Sequence, residues 1–257
     1  MNLIVNKEPD DLIWPEDFIN KIICGNCLEV MKKIPNGAVG LTITSPPYNM
    51  RTRIRNGKYT TREKSEHFSK KYQHFGDDLS ILDYYTFHKY CLLEMFRVGQ
   101  VTFWNIAIVT GSKEAVFHII GDFALYLKDI IIWDKGHGQP AMHNSVINRA
   151  TELILAFESN PTAGRAFTKS QFARGTMKDI WRMSGGPSIK GHAACFPLSL
   201  PIRAIEGWSN KDDIILDPFL GTGTTAIAAM QMNRKFIGIE TSMDYCKIAE
   251  NRIKNDQ

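Results

Sequence analysis

Short apolar runs alternate with stretches of helical period along the chain, and no repeat or low-complexity tract interrupts them. The runs Lys21 to Cys24, Val39 to Thr44, Val101 to Val109, Asp129 to Trp133, Leu153 to Phe157, Ile214 to Leu216 and Phe236 to Ile239 predict strands. Helical patterns fall between most of them. Asp83 is placed to cap a helix whose apolar side is Tyr84, Phe87, Cys91, Met95 and Val98, with Gly99 as its stop. Ile202, Ile205 and Trp208 mark another helix, and Tyr245, Ile248, Ala249 and Ile253 the last. This alternation is the pattern of an α/β sheet. Two segments, Arg51 to Phe75 and Pro161 to His192, show no sustained period and carry glycines such as Gly57, Gly164, Gly175, Gly185 and Gly186, so they read as loops laid on the sheet.

With 257 residues, 44% hydrophobic and 23% charged, the chain can bury a sizeable core, and it reads as one domain over residues 1–257. The stretch Met1 to Asp17 carries Glu8, Asp10, Asp11 and two prolines, which is neither a secretory leader nor an Arg-rich transit peptide. No apolar run approaches the ~18 residues of a membrane span. A cytoplasmic protein without a membrane partner is expected. Five cysteines are an odd set, which argues against a disulfide framework and for a reducing compartment. Cys24 and Cys27 form a C-x-x-C, but neither the further ligands of a zinc site nor the context of a redox pair accompanies them, so no metal is expected.

The net charge of +4 conceals an uneven distribution. Arg51 to Phe75 holds eight basic side chains against two acidic ones, and Pro161 to His192 six against one; the remainder is net acidic. A polyanion-binding face on an acidic body would divide the charge in this way, and nucleic acid is the expected partner.

Ile214-Ile215-Leu216-Asp217 is a buried-strand run followed by Pro218-Phe219-Leu220-Gly221-Thr222-Gly223-Thr224-Thr225-Ala226 and a helical segment. This is a G-x-G-x-x-A turn in the strand-to-helix setting of a nucleotide-cofactor site. Its glycines let backbone approach a ligand, and the helix N-terminus offers free N–H groups. Glu240 ends the next strand, about twenty residues on, where an acid accepts hydrogen bonds from ribose hydroxyls. An adenosine-bearing cofactor is implied, and nicotinamide stays open on this half alone. At the other end of the chain, Leu41-Thr42-Ile43-Thr44 leads into Ser45-Pro46-Pro47-Tyr48-Asn49. Two prolines stiffen the exit of a strand. Ser45 and the Pro46 carbonyl can accept hydrogens from an amine, and Tyr48 can stack on a planar base.

The run Ser45-Pro46-Pro47-Tyr48 resembles the D/N/S-P-P-Y motif of the exocyclic-amine DNA methyltransferases, and the resemblance covers nearly the whole chain. Ile23 to Tyr48 resembles the N-terminal block of the group in which the catalytic motif precedes the cofactor motif. Asp217 to Gly223 resembles the D-P-F-x-G-x-G cofactor motif, His192 to Pro197 the block that closes over the cofactor, and Asn148 to Phe157 a late strand of the catalytic half. The resemblance implies a doubly wound, Rossmann-like sheet with one antiparallel strand in permuted chain order. It places the catalytic half at about 20–157, the cofactor half at about 193–257 and DNA-contacting loops at about 51–75 and 161–192. It also implies transfer of a methyl group from S-adenosylmethionine to an exocyclic amino nitrogen of a flipped base in double-stranded DNA.

Ser45, Pro46, Pro47 and Tyr48 would be catalytic. Asn26, Cys27, Phe196, Pro197, Asp217, Pro218, Phe219, Gly221, Thr222, Gly223, Thr224 and Glu240 would hold the cofactor. Arg51, Arg53, Arg55, Lys58, Arg174, Lys178, Arg182 and Lys190 would contact DNA. At position 26 the chain departs from the family, which usually has Asp there to meet the cofactor adenine. Ser at position 45 inclines the target to cytosine N4, with adenine N6 as the alternative. A homodimer and a cognate restriction enzyme are partners the resemblance allows. The rivals are an NAD-type oxidoreductase, which leaves Ser45 to Tyr48 unexplained, a DNA-binding relative without catalysis, and a methyltransferase acting on RNA or protein.

Overall fold

The computed structural model describes residues 3–49, 54–55, 58–59, 79–138, 144–186 and 195–256. In chain order the elements are β1 (Ile4–Val5), β2 (Lys21–Cys24), α1 (Cys27–Met31), β3 (Val39–Thr44), β4 (Ile54–Arg55), β5 (Lys58–Tyr59), α2 (Ile81–Val98), β6 (Gly99–Ile106), α3 (Lys113–Asp122), β7 (Leu127–Asp134), β8 (Thr151–Glu158) and β9 (Ile180–Arg182). There follow α4 (Ser199–Trp208), β10 (Ile214–Asp217), α5 (Thr224–Gln231), β11 (Lys235–Glu240) and α6 (Met243–Asn255).

Nine strands form one sheet in the order β1-β2-β11-β10-β3-β6-β8-β7-β9. Only β8 runs against its neighbours: it pairs antiparallel with β6 and β7, and every other pairing in this sheet is parallel. Parallel strands are covered on both faces, which is why they read as continuous apolar runs. Alternate residues serve opposite layers. Ile215 and Phe236 face a core with α4, α5 and α6, including Leu200, Ile205, Ala226, Ala249 and Ile253. Leu216 and Ile237 face a core with α1, α2 and α3, including Val30, Met31, Leu92, Met95 and Val116. The sheet is therefore doubly wound. After β10 the chain goes on to β11 on one side, whereas β3 leads to β6 on the other, so the paired ends of β3 and β10 mark the point where the winding reverses and ligands usually bind.

All seven predicted strands are present, with bounds shifted by up to three residues. Three local expectations change. The long helix α2 begins earlier than Asp83: Ser80 is its N-cap, accepting from Asp83 N at 3.1 Å while its hydroxyl donates to the Asp83 carboxylate at 2.6 Å. Asp83, three residues on, gives its amide to the cap and takes the hydrogen of the cap hydroxyl. The segment 161–192 is not all loop, because β9 pairs parallel to β7 at the sheet edge and buries Trp181 completely, stacked on Phe103 at 6.1 Å. One buried residue between exposed Ile180 and Arg182 leaves too short a pattern to read as a strand. The segment 51–75 likewise contains the antiparallel pair β4–β5.

The start of the second basic segment is anchored by an ion pair inside the fold. Lys128, wholly buried on β7, lies 3.6 Å from Glu158 of β8 and donates to Thr162 Oγ1 and to Gly164 O at 3.2 Å. Glu158 accepts from the Thr168 amide at 2.7 Å and from its hydroxyl at 2.6 Å. Removing one partner strands the other charge in the interior. Lys128→Met is expected to cost about 3–5 kcal/mol in denaturant unfolding, and Lys128→Met with Glu158→Gln markedly less. A single variant within about 1 kcal/mol of wild type would show that the pair does not anchor the segment.

Candidate active site

The strand ends at the reversal point bring the two predicted motifs together. Thr44, the last residue of β3, donates its hydroxyl to Asp217 Oδ1 at 2.7 Å, so the strand that delivers Ser45 is tied to the strand that delivers the glycine turn. Asp217 also accepts from the Thr225 hydroxyl at 2.6 Å and from the Phe219 amide at 3.1 Å. It is 2% exposed, and burial pushes its carboxyl up from 3.8 to about 6. Asp217 thus holds three groups of the protein itself. It orders the turn from beneath, and the assignment as a direct cofactor contact becomes one of support.

The turn lies flat on β11. A Cβ on Gly238 would come within 2.4 Å of the Leu220 side chain, which would have to move to admit it. Gly221 and Gly223 have φ of 55° and 88°, conformations that L side chains rarely adopt. Gly223 caps α5 without a side-chain bond, leaving the first amides of that helix free of a side-chain cap. Thr222 is buried and pinned from outside: Arg252 donates to its carbonyl and, at 2.8 Å, to its hydroxyl. Glu240, at the end of β11, accepts from the Gly221 amide and the Ser242 amide, each at 2.9 Å, and burial raises its carboxyl. It is only partly buried, and a carboxylate has about four acceptor sites, so it keeps capacity for a ligand hydroxyl.

Asn26 sits beside this acid, since β2 and β11 pair Cys24 with Glu240. Its oxygen caps α1, accepting from the Leu28 amide at 2.9 Å, so one of that oxygen's two lone pairs is already used. Cys27 is a correction: its thiol points into the α1–α2 core, 3.8 Å from Cys91, and is 4% exposed, so its side chain is turned away from the site. Cys24 faces the other way, toward Thr241 O at 3.8 Å. Phe196 is buried and Pro197 partly so; they join the turn through Cys195, whose sulfur is 3.1 Å from the Thr222 hydroxyl. Pro218 is buried and Phe219 packs edge-on against Phe87 at 6.0 Å.

On the catalytic side Pro46 and Pro47 are buried and Ser45 and Tyr48 partly exposed. The Pro47 carbonyl is taken by the Tyr84 hydroxyl at 2.8 Å. Asn49 has φ 53° and donates to Leu79 O and Gly111 O, both at 3.0 Å, so the chain that leaves the motif at residue 50 is met by its own return at residue 79. Around the motif stands a polar group that the sequence pattern does not reveal. Tyr48 donates to Glu152 Oε2 at 2.8 Å, Ser45 Oγ lies 2.8 Å from the Tyr48 hydroxyl, and Asn105 Nδ2 reaches Tyr48 at 2.8 Å, Glu152 at 2.7 Å and Ser45 at 3.3 Å. Lys135 closes the set by pairing with Glu152 Oε1. The available signal was a polar residue interrupting an apolar strand near the same end of the sheet: Asn105 in β6, Glu152 in β8.

Of the basic residues expected at DNA, Arg174 and Lys178 are exposed, and Arg182 projects 82% exposed beside Asp134 at 3.3 Å. For Arg55 and Lys58 the backbone is described, paired across β4–β5. Arg51, Arg53 and Lys190 lie outside the described residues.

A doubly wound sheet with a glycine turn, a terminal acid and a serine-prolyl-prolyl-tyrosine run converging at the reversal point defines a class: an α/β enzyme that works on a substrate beside a nucleotide-type cofactor. The family follows from comparison. The model of the DNA methylases that act at N6 or N4 matches residues 39–251, and the chain belongs to this family. It is a DNA methyltransferase. The type II methyltransferase M.HinfI of Haemophilus influenzae is 28% identical over 93% of this chain and 69% of its own length. Among solved structures, the PvuII cytosine-N4-specific DNA methyltransferase superposes with a TM-score of 0.66 at 17% identity, covering 92% of this chain and 90% of that one. TTHA0409 of Thermus thermophilus, described as a putative DNA modification methylase and solved in complex with S-adenosyl-L-methionine, superposes with a TM-score of 0.60 at 24% identity over 91% of this chain and 95% of its own.

Proposed function

We propose that this chain transfers a methyl group from S-adenosylmethionine to an exocyclic amino nitrogen of a flipped base in double-stranded DNA, cytosine N4 ahead of adenine N6. The observation that carries the reading is the Thr44–Asp217 bond, which sets the amine-accepting motif and the cofactor turn side by side. The donor set fits the cofactor: Glu240 has acceptor capacity for ribose hydroxyls, and the α5 N-terminus and the glycine turn offer amides to a carboxylate. When bound, S-adenosylmethionine supplies an electrophilic methyl group on sulfur. Ser45 and the Pro46 carbonyl accept the amino hydrogens and aim the nitrogen, the neighbouring Pro47 carbonyl being engaged by Tyr84. Tyr48 stacks on the base, and in-line positioning supplies much of the rate. The cytosine preference rests on serine at position 45 and on the named specificity of the PvuII enzyme.

The order in which the motifs occur supports placement in the group with the catalytic motif first, and M.BslI, a relative 28% identical over 96% of this chain but 30% of its own length, is named a type II beta methyltransferase. We read the protein as cytoplasmic; among the described residues no helix is long and apolar enough to cross a membrane. A homodimer and a cognate restriction enzyme complete the proposal. Nucleoside mass spectrometry of DNA treated with enzyme and labelled cofactor tests it. N4-methylcytosine is expected; N6-methyladenine would change the base and keep the mechanism, and label on cytosine carbon or no label on DNA would end the reading.

Arg51, Arg53, Arg55, Lys58, Arg174, Lys178, Arg182 and Lys190 are assigned to DNA. Residues 51–58 are assigned to the strand around the target base and residues 174–190 to sequence reading. Arg174→Ala with Lys178→Ala is expected to flatten the salt dependence of DNA affinity by about 0.9 log units for each phosphate no longer neutralised. An unchanged slope would remove the second segment from the interface.

A further inference from the structure

We infer that Glu152, fixed by Lys135, sets the direction of a hydrogen-bond chain through Tyr48 to Ser45, making Ser45 an obligate acceptor toward the target base and so selecting an amine over a carbonyl. The inference rests on the proposed role of Ser45 at the target amine and adds the residue that enforces it.

The direction follows from counting hydrogens. An ionised carboxylate has none, so every contact to Glu152 is a donation toward it. Lys135 donates to Oε1. Tyr48 donates to Oε2 at 2.8 Å, and Asn105 Nδ2 donates to the same oxygen at 2.7 Å. A phenol has one hydrogen, and that of Tyr48 is thereby committed. In the 2.8 Å contact between Ser45 Oγ and the Tyr48 hydroxyl the hydrogen must then belong to Ser45. A serine also has one hydrogen. Ser45 consequently has only acceptor capacity left: with Asn105 Nδ2 at 3.3 Å from one lone pair, the other can take an amino N–H, whereas a carbonyl oxygen would meet another acceptor. Asn105 is 3% exposed, and its amide is oriented by the same carboxylate, reinforcing the order.

The chain also favours the reaction. As the amine nitrogen takes the methyl group it gains positive charge, and hydrogen bonds leading from it toward a carboxylate strengthen at that moment. Glu152 touches neither the base nor the cofactor in this account. It is a positioning residue acting through Tyr48.

Glu152→Gln discriminates, because it preserves size. With its carbonyl kept by Lys135, its NH2 would sit where Oε2 was and donate to Tyr48; the Tyr48 hydrogen would turn to Ser45, and the Ser45 hydrogen would turn outward against the amine. Single-turnover transfer of labelled methyl groups to unmodified phage DNA is expected to fall about 30- to 100-fold in Glu152→Gln, with cofactor affinity and DNA KM changed less than about threefold. Tyr48→Phe, which removes only the hydroxyl, is expected to fall comparably. The double variant should be no worse than the slower single one, because both changes break one chain.

A second readout follows once the modified site is mapped. On duplexes carrying it, wild type should prefer the amino base over its keto counterpart by about tenfold in affinity, and Glu152→Gln should not. Wild-type rate in Glu152→Gln or in Tyr48→Phe, or losses that multiply in the double variant, would overturn the inference, and Tyr48→Phe decides alone if the glutamine variant does not fold. A wild-type rate in Ser45→Ala would instead overturn the assignment of Ser45 beneath it.

Discussion

Replacing Asp217 with alanine is expected to weaken S-adenosylmethionine binding at least about 100-fold, equivalent to about 3 kcal/mol, while DNA binding survives and the protein stays folded. The carboxylate joins Thr44, the Phe219 amide and Thr225, so its loss frees the catalytic strand from the cofactor turn and lets the turn relax. Stability should change in a direction that a simple count of hydrogen bonds would miss. Burial raises this carboxyl from 3.8 to about 6, so the folded chain holds the proton more tightly than the unfolded chain. The corresponding stability is whole below about pH 4 and is lost as pH rises through about 6, amounting to about 3 kcal/mol for a shift of this size. Asp217→Asn keeps the volume and abolishes the titration. Its denaturation midpoint should therefore be less dependent on pH between about 4 and 7 than that of wild type, with the gain in stability appearing at neutral pH. Cofactor affinity measured by calorimetry on folded Asp217→Ala decides the functional half: wild-type affinity would remove Asp217 from the support of the turn. A wild-type pH slope in Asp217→Asn would refute the linkage.

Removing the Tyr48 ring should be the most damaging change on the catalytic side. Tyr48→Ala is expected to lower kcat about 10³- to 10⁴-fold, with cofactor affinity unchanged. Base–aromatic stacking alone is worth about 1–3 kcal/mol, and misplacement of the amine by an ångström adds about another 100-fold. The ring is held at its hydroxyl by Glu152 and Asn105 and follows directly on two buried prolines, so it arrives at the base already oriented. Single-turnover rates at saturating cofactor report the step directly. A loss confined to KM would mean that Tyr48 only helps capture DNA, and the motif's chemistry would have to rest on Ser45 and Pro46.

Much of this architecture was legible along the chain because it depends on local pattern. Strands buried on both faces are mostly apolar, so Val39–Thr44, Ile214–Asp217 and Lys235–Glu240 declare themselves, with most of their polar residues at or near the ends that meet the site. A turn that lies flat against a strand needs glycine, and a strand stopped by two prolines before a tyrosine has few other uses, so both motifs were visible as motifs. Their chain order, the resemblance to exocyclic-amine methyltransferases and the uneven charge were read from residues alone.

What required the tertiary structure were relations between residues distant in the chain. Thr44 and Asp217 are 173 positions apart and Tyr48 and Glu152 are 104, and no periodicity links either pair. The roles of Asn105, Glu152 and Lys135 exist only where the end of β6, the start of β8 and the exit of β7 lie side by side at one end of the sheet. The same dependence reversed Cys27, whose position in a motif suggested the cofactor but whose burial is set by the packing of α1 on α2, and it hid Trp181, whose neighbours in sequence are exposed while its neighbours in space are Phe103 and Trp208. Sequence determines which groups are present and how each segment alternates; which of those groups share a hydrogen bond or a protein interior is decided by strand order, and strand order is settled by the packing of the whole sheet.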